Sequence, residues 1–162
     1  MIVCGIDPGL SGAICFYNTI GMITDIVDIP TFVLPRGGKN KREVDAAKLA
    51  AAFSFPVGHA FVEQVASMPG QGVSSVFAFG KTYGIILGVL AARGVPISFV
   101  APRVWKKGLG VPAAKDGARA RASQLMPAES ARWARAKDDG RAEAALIAVW
   151  GVKAMNAIAN AA

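Results

Sequence analysis

The segment that decides the fold is MIVCGIDPGLSGAICFY, residues 1–17. An apolar, partly β-branched run at 2–6 ends at Asp7-Pro8-Gly9, and a second apolar run occupies 13–17. Two short apolar runs separated by turn-forming residues predict a β-hairpin. Asp7 therefore stands at the end of a strand that we expect to be central in a sheet.

The rest of the chain alternates between strand and helix patterns. We predict strands at 22–29, 57–65 and 95–100, helices at 45–53, 74–93, 113–125 and 138–160, a short turn or helix at 102–107, and a mobile loop at 32–42. This order predicts an α/β fold with a mixed sheet flanked by helices. With 162 residues, we expect residues 1–162 to form a single domain.

The composition excludes several classes of protein. Hydrophobic residues make up 53%, charged residues 18%, and the mean hydropathy is +0.40, which excludes disordered and collagen-like chains. Lys81 and Lys153 interrupt the two longest apolar stretches, so we expect no membrane span. The N-terminus carries no basic leader, which predicts a soluble, cytoplasmic protein. Cys4 and Cys15 are predicted to be buried free thiols, and no zinc pattern is present.

The positive charge is concentrated in one part of the chain. Residues 103–137 contain nine basic and two acidic side chains, a surplus equal to the net charge of +7. A local basic excess is typical of a nucleic-acid-binding face, although a solvated face or a helix at a membrane surface can also be basic. The nine are Arg103, Lys106, Lys107, Lys115, Arg119, Arg121, Arg132, Arg135 and Lys137.

Five of the eleven acidic residues lie where an ordinary surface role does not explain them, namely Asp7, Glu63, Asp138, Asp139 and Glu143. Asp7 and Glu63 follow apolar strands, and an unpaired buried carboxylate costs several kcal/mol. Asp139 and Glu143 are four residues apart on a predicted helix and so project from one face, which Asp138 fits less well. Their convergence predicts Mg²⁺ or Mn²⁺, because hard oxygen ligands without His or Cys favour these ions. The alternative is that each acid pairs separately with a basic residue such as Arg141.

A pair of such ions is the usual device for hydrolysis of a phosphodiester, so the four acids together predict a nuclease site. His59 is expected to be structural. Trp105, Trp133 and Trp150 are expected to pack in the core or an interface, with Trp105, beside Lys106 and Lys107, the best candidate to stack on DNA bases.

Glycines recur at every fourth position of the predicted helix at 74–93. Gly80, Gly84 and Gly88 therefore share one face, where another backbone can approach closely. This pattern predicts tight packing of the helix either on the sheet or on a partner subunit.

Five sequence blocks together resemble the RuvC-like Holliday junction resolvases, especially their compact phage-type branch. GxDxG alone is weak, because actin-like ATPases share it, but five blocks in order are specific. The blocks are GIDPGLSGA at 5–13, FVEQVASMPGQG at 61–72, SVFAFGKTYG at 75–84, VAPRVWKK at 100–107 and DDGRAEAALIA at 138–148.

The resemblance implies a ribonuclease-H-like fold with a mixed five-stranded sheet, and a homodimer that makes paired symmetric nicks in four-way DNA junctions. It implies Mg²⁺, replaceable by Mn²⁺, with two ions held by Asp7, Glu63, Asp139 and Glu143. It also implies a catalytic lysine among residues 106, 107 and 115. The expected DNA contacts are Arg103, Trp105, Lys106, Lys107, Lys115, Arg119 and Arg121.

The sequence departs from the bacterial pattern of this family at two places. Bacterial members carry two aspartates three residues apart, whereas this chain has Asp139 and Glu143 at spacing four, with Asp138 as a spare. The aromatic residue that wedges into the junction has no clear counterpart, and Met68 or Phe77 are candidates.

Three other functions compete with that of a junction-resolving nuclease. A catalytically silent branched-DNA-binding protein is disfavoured by the presence of all four acids. A nuclease acting on structured RNA or simple branches stays open. An actin-like or sugar-kinase ATPase requires a second, similar half, which 162 residues do not provide. Phage genome processing in a bacterial cell is the host process that the phage-type branch suggests.

Overall fold

A five-stranded mixed sheet lies at the centre of the computed structural model, which describes residues 1–66, 70 and 72–161. The strand order is β3-β2-β1-β6-β7; β1 is antiparallel to β2 and parallel to β6, which is parallel to β7. The elements are β1 (Ile2–Ile6), β2 (Ala13–Asn18), β3 (Met22–Asp28), β4 (Thr31–Arg36), β5 (Lys39–Val44), α1 (Ala46–Ala52), β6 (His59–Glu63), α2 (Val73–Ala92), β7 (Ile97–Val100), α3 (Pro102–Leu109), α4 (Gly117–Leu125) and α5 (Asp139–Ala159), with 3₁₀ turns at Pro127–Trp133 and Ala136–Asp138. The predicted α/β fold with a mixed five-stranded sheet is confirmed.

Each face of the sheet is covered by its own helices. Side chains alternate along a strand, so Val3 of β1 joins the core beneath α3, α4 and α5, whereas Cys4 and Ile6 join the core beneath α1 and α2. Cys15 of β2 lies in the first of these cores. Both cysteines are free and buried, as predicted.

Helix α5 lies directly against the middle of the sheet. A Cβ atom at Gly5 would be 2.2 Å from the carbonyl oxygen of Ala144 and 2.3 Å from the backbone nitrogen of Ala148. Only glycine permits this approach, because both groups belong to the helix backbone and cannot move aside. The central strand and α5 therefore form one tightly packed unit.

The segment at 32–42 is a hairpin, so the expectation of a mobile loop there was wrong. Strands β4 and β5 pair along their whole length, with Arg36 opposite Lys39. Gly37 and Gly38, with φ of +57° and +72°, form the two-residue turn. Consecutive glycines with positive φ match the twist of a hairpin, and this was the signal in the sequence.

Two helices are long and apolar enough, by length and composition alone, to cross a membrane. They are α2 and the segment Ala136–Ala159. Lys81 and Lys153 do not by themselves exclude such segments, and the expectation of no membrane span stays a prediction. The segment that contains α5 is part of the core, and core helices of soluble proteins pass the same test, so this result is weak support for a membrane span.

Candidate active site

Asp7 and Glu63 lie side by side at the carboxyl edge of the sheet. Strands β1 and β6 run parallel and pair Ile6 with Val62, so the next residue of each strand reaches the same level. Glu63 in turn pairs with Val100 of β7, and α3 begins two residues later. This edge therefore receives two strand carboxylates and the first turn of a helix.

The start of α5 reaches the same edge. A Cβ atom at Gly140 would lie 2.5 Å from the carbonyl oxygen of Ser11 and 3.0 Å from Oδ2 of Asp7. The absence of a side chain at Gly140 thus lets the first turn of α5, which carries Asp139 and Glu143, approach Asp7. The sequence predicts the start of this helix near residue 138 but gives no sign of the close contact.

Three carboxylates at this edge interact electrostatically. Burial raises the pKa of Asp7 to about 7, with further increases from the charges of Glu143 and Glu63. The backbone N–H of Gly9, 3.4 Å from Oδ1 of Asp7, and the charge of Lys106 lower it again. Burial and the charge of Glu143 also raise the pKa of Glu63. This repulsion can be relieved by a bound proton or by a nearby cation.

Lys106 is the cation that the chain itself supplies. Its Nζ lies 2.9 Å from Oε1 of Glu143 and 5.0 Å from the centre of the Trp105 ring. Burial opposes its charge, but the bond to Glu143 and the charges of Glu63 and Asp7 raise the pKa of Lys106 overall. Among the lysines that the sequence offered, the structure brings Lys106 to the carboxylates, whereas Lys107 is exposed and makes none of these contacts.

Asp139 stands at the rim of the cluster. Its Oδ1 accepts a 2.6 Å bond from Nε of Arg119, and its side chain is 43% exposed. Asp139 and Glu143 line one cavity together with Lys106 and Lys115. The structure thus groups Asp7, Glu63 and Glu143 around Lys106 and holds Asp139 beside them in a separate ion pair.

Asp138, the predicted spare ligand, is bound by an arginine in this structure. It is buried, and both of its oxygens accept bonds of 2.9 Å from the Arg135 guanidinium. Arg141, named as a possible partner of the site acids, instead makes two bonds to Asp28 on β3. Both ion pairs lie at the start of α5, and the second ties this helix to β3.

Trp105 is fully buried, so the expectation that it stacks on DNA bases was wrong. Its Nε1–H donates a 2.9 Å hydrogen bond to Oε1 of Glu63. Trp133 is also buried, as predicted, and its Nε1–H donates to Oγ of Ser123. His59 has the predicted structural role, with Nε2 2.9 Å from Oγ of Ser98.

Several of the basic side chains are bound within the protein. Nε of Arg121 donates a 2.6 Å bond to the carbonyl oxygen of Leu109, which ties α4 to α3. Arg121 and Arg119 are thus both engaged within the protein, and their contacts with DNA stay predictions. Arg103, Lys107 and Lys115 are exposed.

The glycine stripe of α2 faces away from the sheet. Cβ atoms at Gly80, Gly84 and Gly88 would meet nothing within 4 Å, so packing on the sheet is excluded as the reason for the stripe. On the same helix, Val73 is 87% and Phe77 72% exposed. Met68, the other candidate for the wedging residue, lies outside the described residues.

The donor chemistry of the cluster fits a divalent cation. Within residues 1–66, 70 and 72–161, no three acidic, His or Cys side chains already stand close enough together to hold a metal ion. Each acid already has a donor from the protein: Lys106 binds Glu143, Trp105 binds Glu63, and Arg119 binds Asp139. Asp7 and Glu63, whose pKa values are raised by burial and by the charge of Glu143, offer only oxygen donors and nevertheless suit Mg²⁺ or Mn²⁺.

The fold is that of a RuvC-type, ribonuclease-H-like protein. No family profile matches the chain. The structure of Thermus thermophilus RuvC in complex with a Holliday junction substrate aligns with a TM-score of 0.64 at 16% identity, covering 95% of this chain and 96% of that one. A second T. thermophilus RuvC structure aligns at a TM-score of 0.56 and 17% identity, covering 96% and 97%.

In sequence, the chain is similar to the chloroplastic Holliday junction resolvase MOC1 of Chlamydomonas reinhardtii. The two are 34% identical over 122 residues, which is 70% of this chain and 14% of that protein. The chain thus spans about a seventh of its relative's length. By fold and by sequence, this chain is RuvC-like.

Proposed function

We propose that the chain is a divalent-metal-dependent endonuclease that resolves four-way DNA junctions by paired symmetric nicks. The observation that carries this proposal is the grouping of Asp7, Glu63 and Glu143 around Lys106 at the carboxyl edge of a RuvC-like sheet. The sequence similarity to a Holliday junction resolvase supports the choice of substrate.

The carboxylates and the lysines have separate roles in this proposal. Asp7, Glu63 and Glu143 would hold Mg²⁺ or Mn²⁺, and Asp139 would join them when Arg119 releases it. The metal, which we propose binds as two ions, supplies activation of water and stabilisation of the leaving oxygen. Lys106 holds a positive charge beside this site, where negative charge develops on the scissile phosphate, and Lys115 lines the same cavity.

Binding of DNA is assigned to the exposed cations near the site. Arg103 and Lys107 lie on α3, and Lys115 lies on the segment between α3 and α4. Contacts of such side chains with phosphates release counterions, so junction binding should weaken steeply as salt increases. These contacts set affinity and position and carry no base specificity.

A homodimer would give the paired nicks their symmetry. The outer face of α2 combines the exposed glycine stripe with exposed Val73 and Phe77, which suits close packing on a second copy. A two-fold axis through such an interface places two identical sites on one DNA junction. Each site would then cut one of two opposing strands.

The cytoplasm of a bacterial or phage-infected cell is the proposed location. Both cysteines are free and buried, which is compatible with a reducing compartment. Branched DNA arises there during recombination and replication.

The test is incubation with synthetic four-way, Y-shaped and linear DNA, with and without Mg²⁺. We expect symmetric nicks in opposing arms of the four-way junction only when the metal is present. Asp7→Asn should reduce cleavage at least about 100-fold while junction binding is kept or becomes tighter, because repulsion of the phosphates falls. Loss of both cleavage and binding would show that Asp7 is structural.

The same assay, extended by a structured RNA and by a measurement of junction binding, separates the competing functions. Junction binding without cleavage in Mg²⁺ or Mn²⁺ would indicate a catalytically silent DNA-binding protein. Preferential cutting of a structured RNA of the same shape would indicate an RNA nuclease. Either result would overturn the proposed activity.

A further inference from the structure

Neighbouring residues of α3 bind carboxylates on two different elements. Nε1–H of Trp105 donates to Oε1 of Glu63, at the end of β6, and Nζ of Lys106 donates to Oε1 of Glu143, on α5. Both donor–acceptor distances are 2.9 Å. Helix α3 therefore connects the two carboxylates that approach the site from the sheet and from α5.

The Trp105 side chain has no freedom to choose another hydrogen-bond acceptor. Its ring is 0% exposed and lies in the core formed with α4 and α5. A buried indole N–H needs an acceptor, since leaving it unpaired in the core is unfavourable. Glu63 is that acceptor, and the rigid packing of the ring in turn fixes the position of Oε1.

The chemistry of the indole limits what Trp105 can do. It is a donor only and does not titrate, so it neither accepts nor supplies a proton in a reaction. It also occupies one oxygen of Glu63 and leaves Oε2 free of this bond. Hydrogen bonds from the surroundings orient metal-binding carboxylates and strengthen their binding of the metal.

We infer that Trp105 is a positioning residue for the metal site, whose buried N–H holds Glu63 so that Oε2 is presented to the divalent cation. This inference rests on the proposed metal-dependent function and adds a residue to it. Trp105 touches neither the substrate nor the metal and acts through Glu63. Its neighbour Lys106 keeps its proposed role beside the scissile phosphate.

The test compares Trp105→Phe with Trp133→Phe. Both variants keep an aromatic ring in the core, and both lose a buried indole hydrogen bond of 2.9 Å, but the bond of Trp133 goes to Ser123. The readout is the Mn²⁺ dissociation constant of the DNA-free protein, measured by calorimetry or by electron paramagnetic resonance. We expect it to rise about tenfold in W105F and to stay unchanged in W133F.

Equal Mn²⁺ affinities of W105F and W133F would overturn the inference and leave the proposed function intact. A wild-type protein that does not bind Mn²⁺ would instead overturn the metal-dependent function itself. Glu63→Gln serves as a reference, since it should weaken Mn²⁺ binding at least as much as W105F. Melting temperatures of the two Phe variants measure their loss of stability separately from their Mn²⁺ affinity.

A second measurement uses the wild-type protein and does not depend on folding of W105F. The three indole N–H signals in a ¹⁵N NMR spectrum are assigned with W133F and Trp150→Phe. Addition of Mg²⁺ should shift the Trp105 signal more than the Trp133 signal, and Glu63→Gln should remove this response. A Trp105 signal that does not respond while the protein binds Mg²⁺ would contradict the positioning role.

Discussion

Helices α2 and α5 cover opposite faces of the same sheet and differ mainly in what they leave exposed. They have 20 and 21 residues, and both are apolar enough to resemble membrane spans. Ten residues of α5 are buried against the sheet and its neighbouring helices, whereas α2 buries three. Gly5 of β1 lets the backbone of α5 approach the sheet closely, whereas Gly84 of α2 faces open space.

This difference shows that an apolar helix can complete a core or provide a surface. Helix α5 completes the core and delivers Glu143 to the site at its first turns. Helix α2 leaves Phe77 and its glycines uncovered, which is the character of a surface that packs on another copy. The chemistry therefore depends on one helix and the proposed assembly on the other.

The strongest test of this contrast replaces one glycine on each side. Gly5→Ala places a methyl group 2.2 Å from a backbone oxygen of α5, so we expect the free energy of unfolding to fall by about 3 kcal/mol or more. Gly84→Ala meets nothing within 4 Å and should be neutral or stabilise the monomer by up to about 1 kcal/mol. Denaturant unfolding measures both, and equal losses would remove the distinction between the two helices.

Asp7, the buried carboxylate beside the start of α5, should make the stability of the metal-free protein depend on pH. Asp7 has a pKa of about 7 in the folded protein and 3.8 as its ordinary value, so the folded state binds the proton more tightly. The free energy of unfolding should therefore fall as the pH rises from about 4 to about 7, by at most about 4 kcal/mol.

Asp7→Asn removes this titration and is the control. The variant should become more stable than the wild type as the pH rises, in chemical denaturation with a chelator present. A stability difference between the two proteins that does not change with pH would contradict the environment assigned to Asp7.

Two adjacent lysines test how specific the site is. Lys106 contacts Glu143, whereas Lys107 is exposed. We expect Lys106→Ala to reduce the cleavage rate on the order of 100-fold at saturating junction, and Lys107→Ala to change mainly the salt dependence of binding. Equal effects on the rate would show that α3 does not present Lys106 selectively.

The smallest expected effect concerns the open face of α2. Phe77 and Ile158 are each 72% exposed, one on α2 and the other near the end of α5. Phe77→Asp should weaken dimer formation at least about tenfold, or 1.4 kcal/mol, and Ile158→Asp should not. Analytical ultracentrifugation measures both. A Phe77→Asp variant that dimerises normally but cuts junctions poorly would favour the wedging role for Phe77 instead.

Local patterns were sufficient for most elements of the fold. The apolar runs that end at Asp7 and Glu63 became the central parallel strands β1 and β6, and Asp45 caps α1 through a 3.0 Å bond from the N–H of Lys48. The segment at 32–42 was predicted incorrectly because its charged and turn-forming residues obscured two short strands. Gly37-Gly38 was the local signal that would have found them.

The sequence by itself determined that Asp7 and Glu63 end two apolar strands and that Asp139 and Glu143 share one face of the last helix. Both conclusions depend only on the local periodicity of strands and helices. The tertiary structure decided which of Trp105, Lys106 and Lys107 turns inward. It also decided that Asp138 pairs with Arg135 while Asp139 pairs with Arg119 at the rim of the site. Adjacent residues of a helix point about 100° apart, so long-range packing of α3 and α5 alone selects among them.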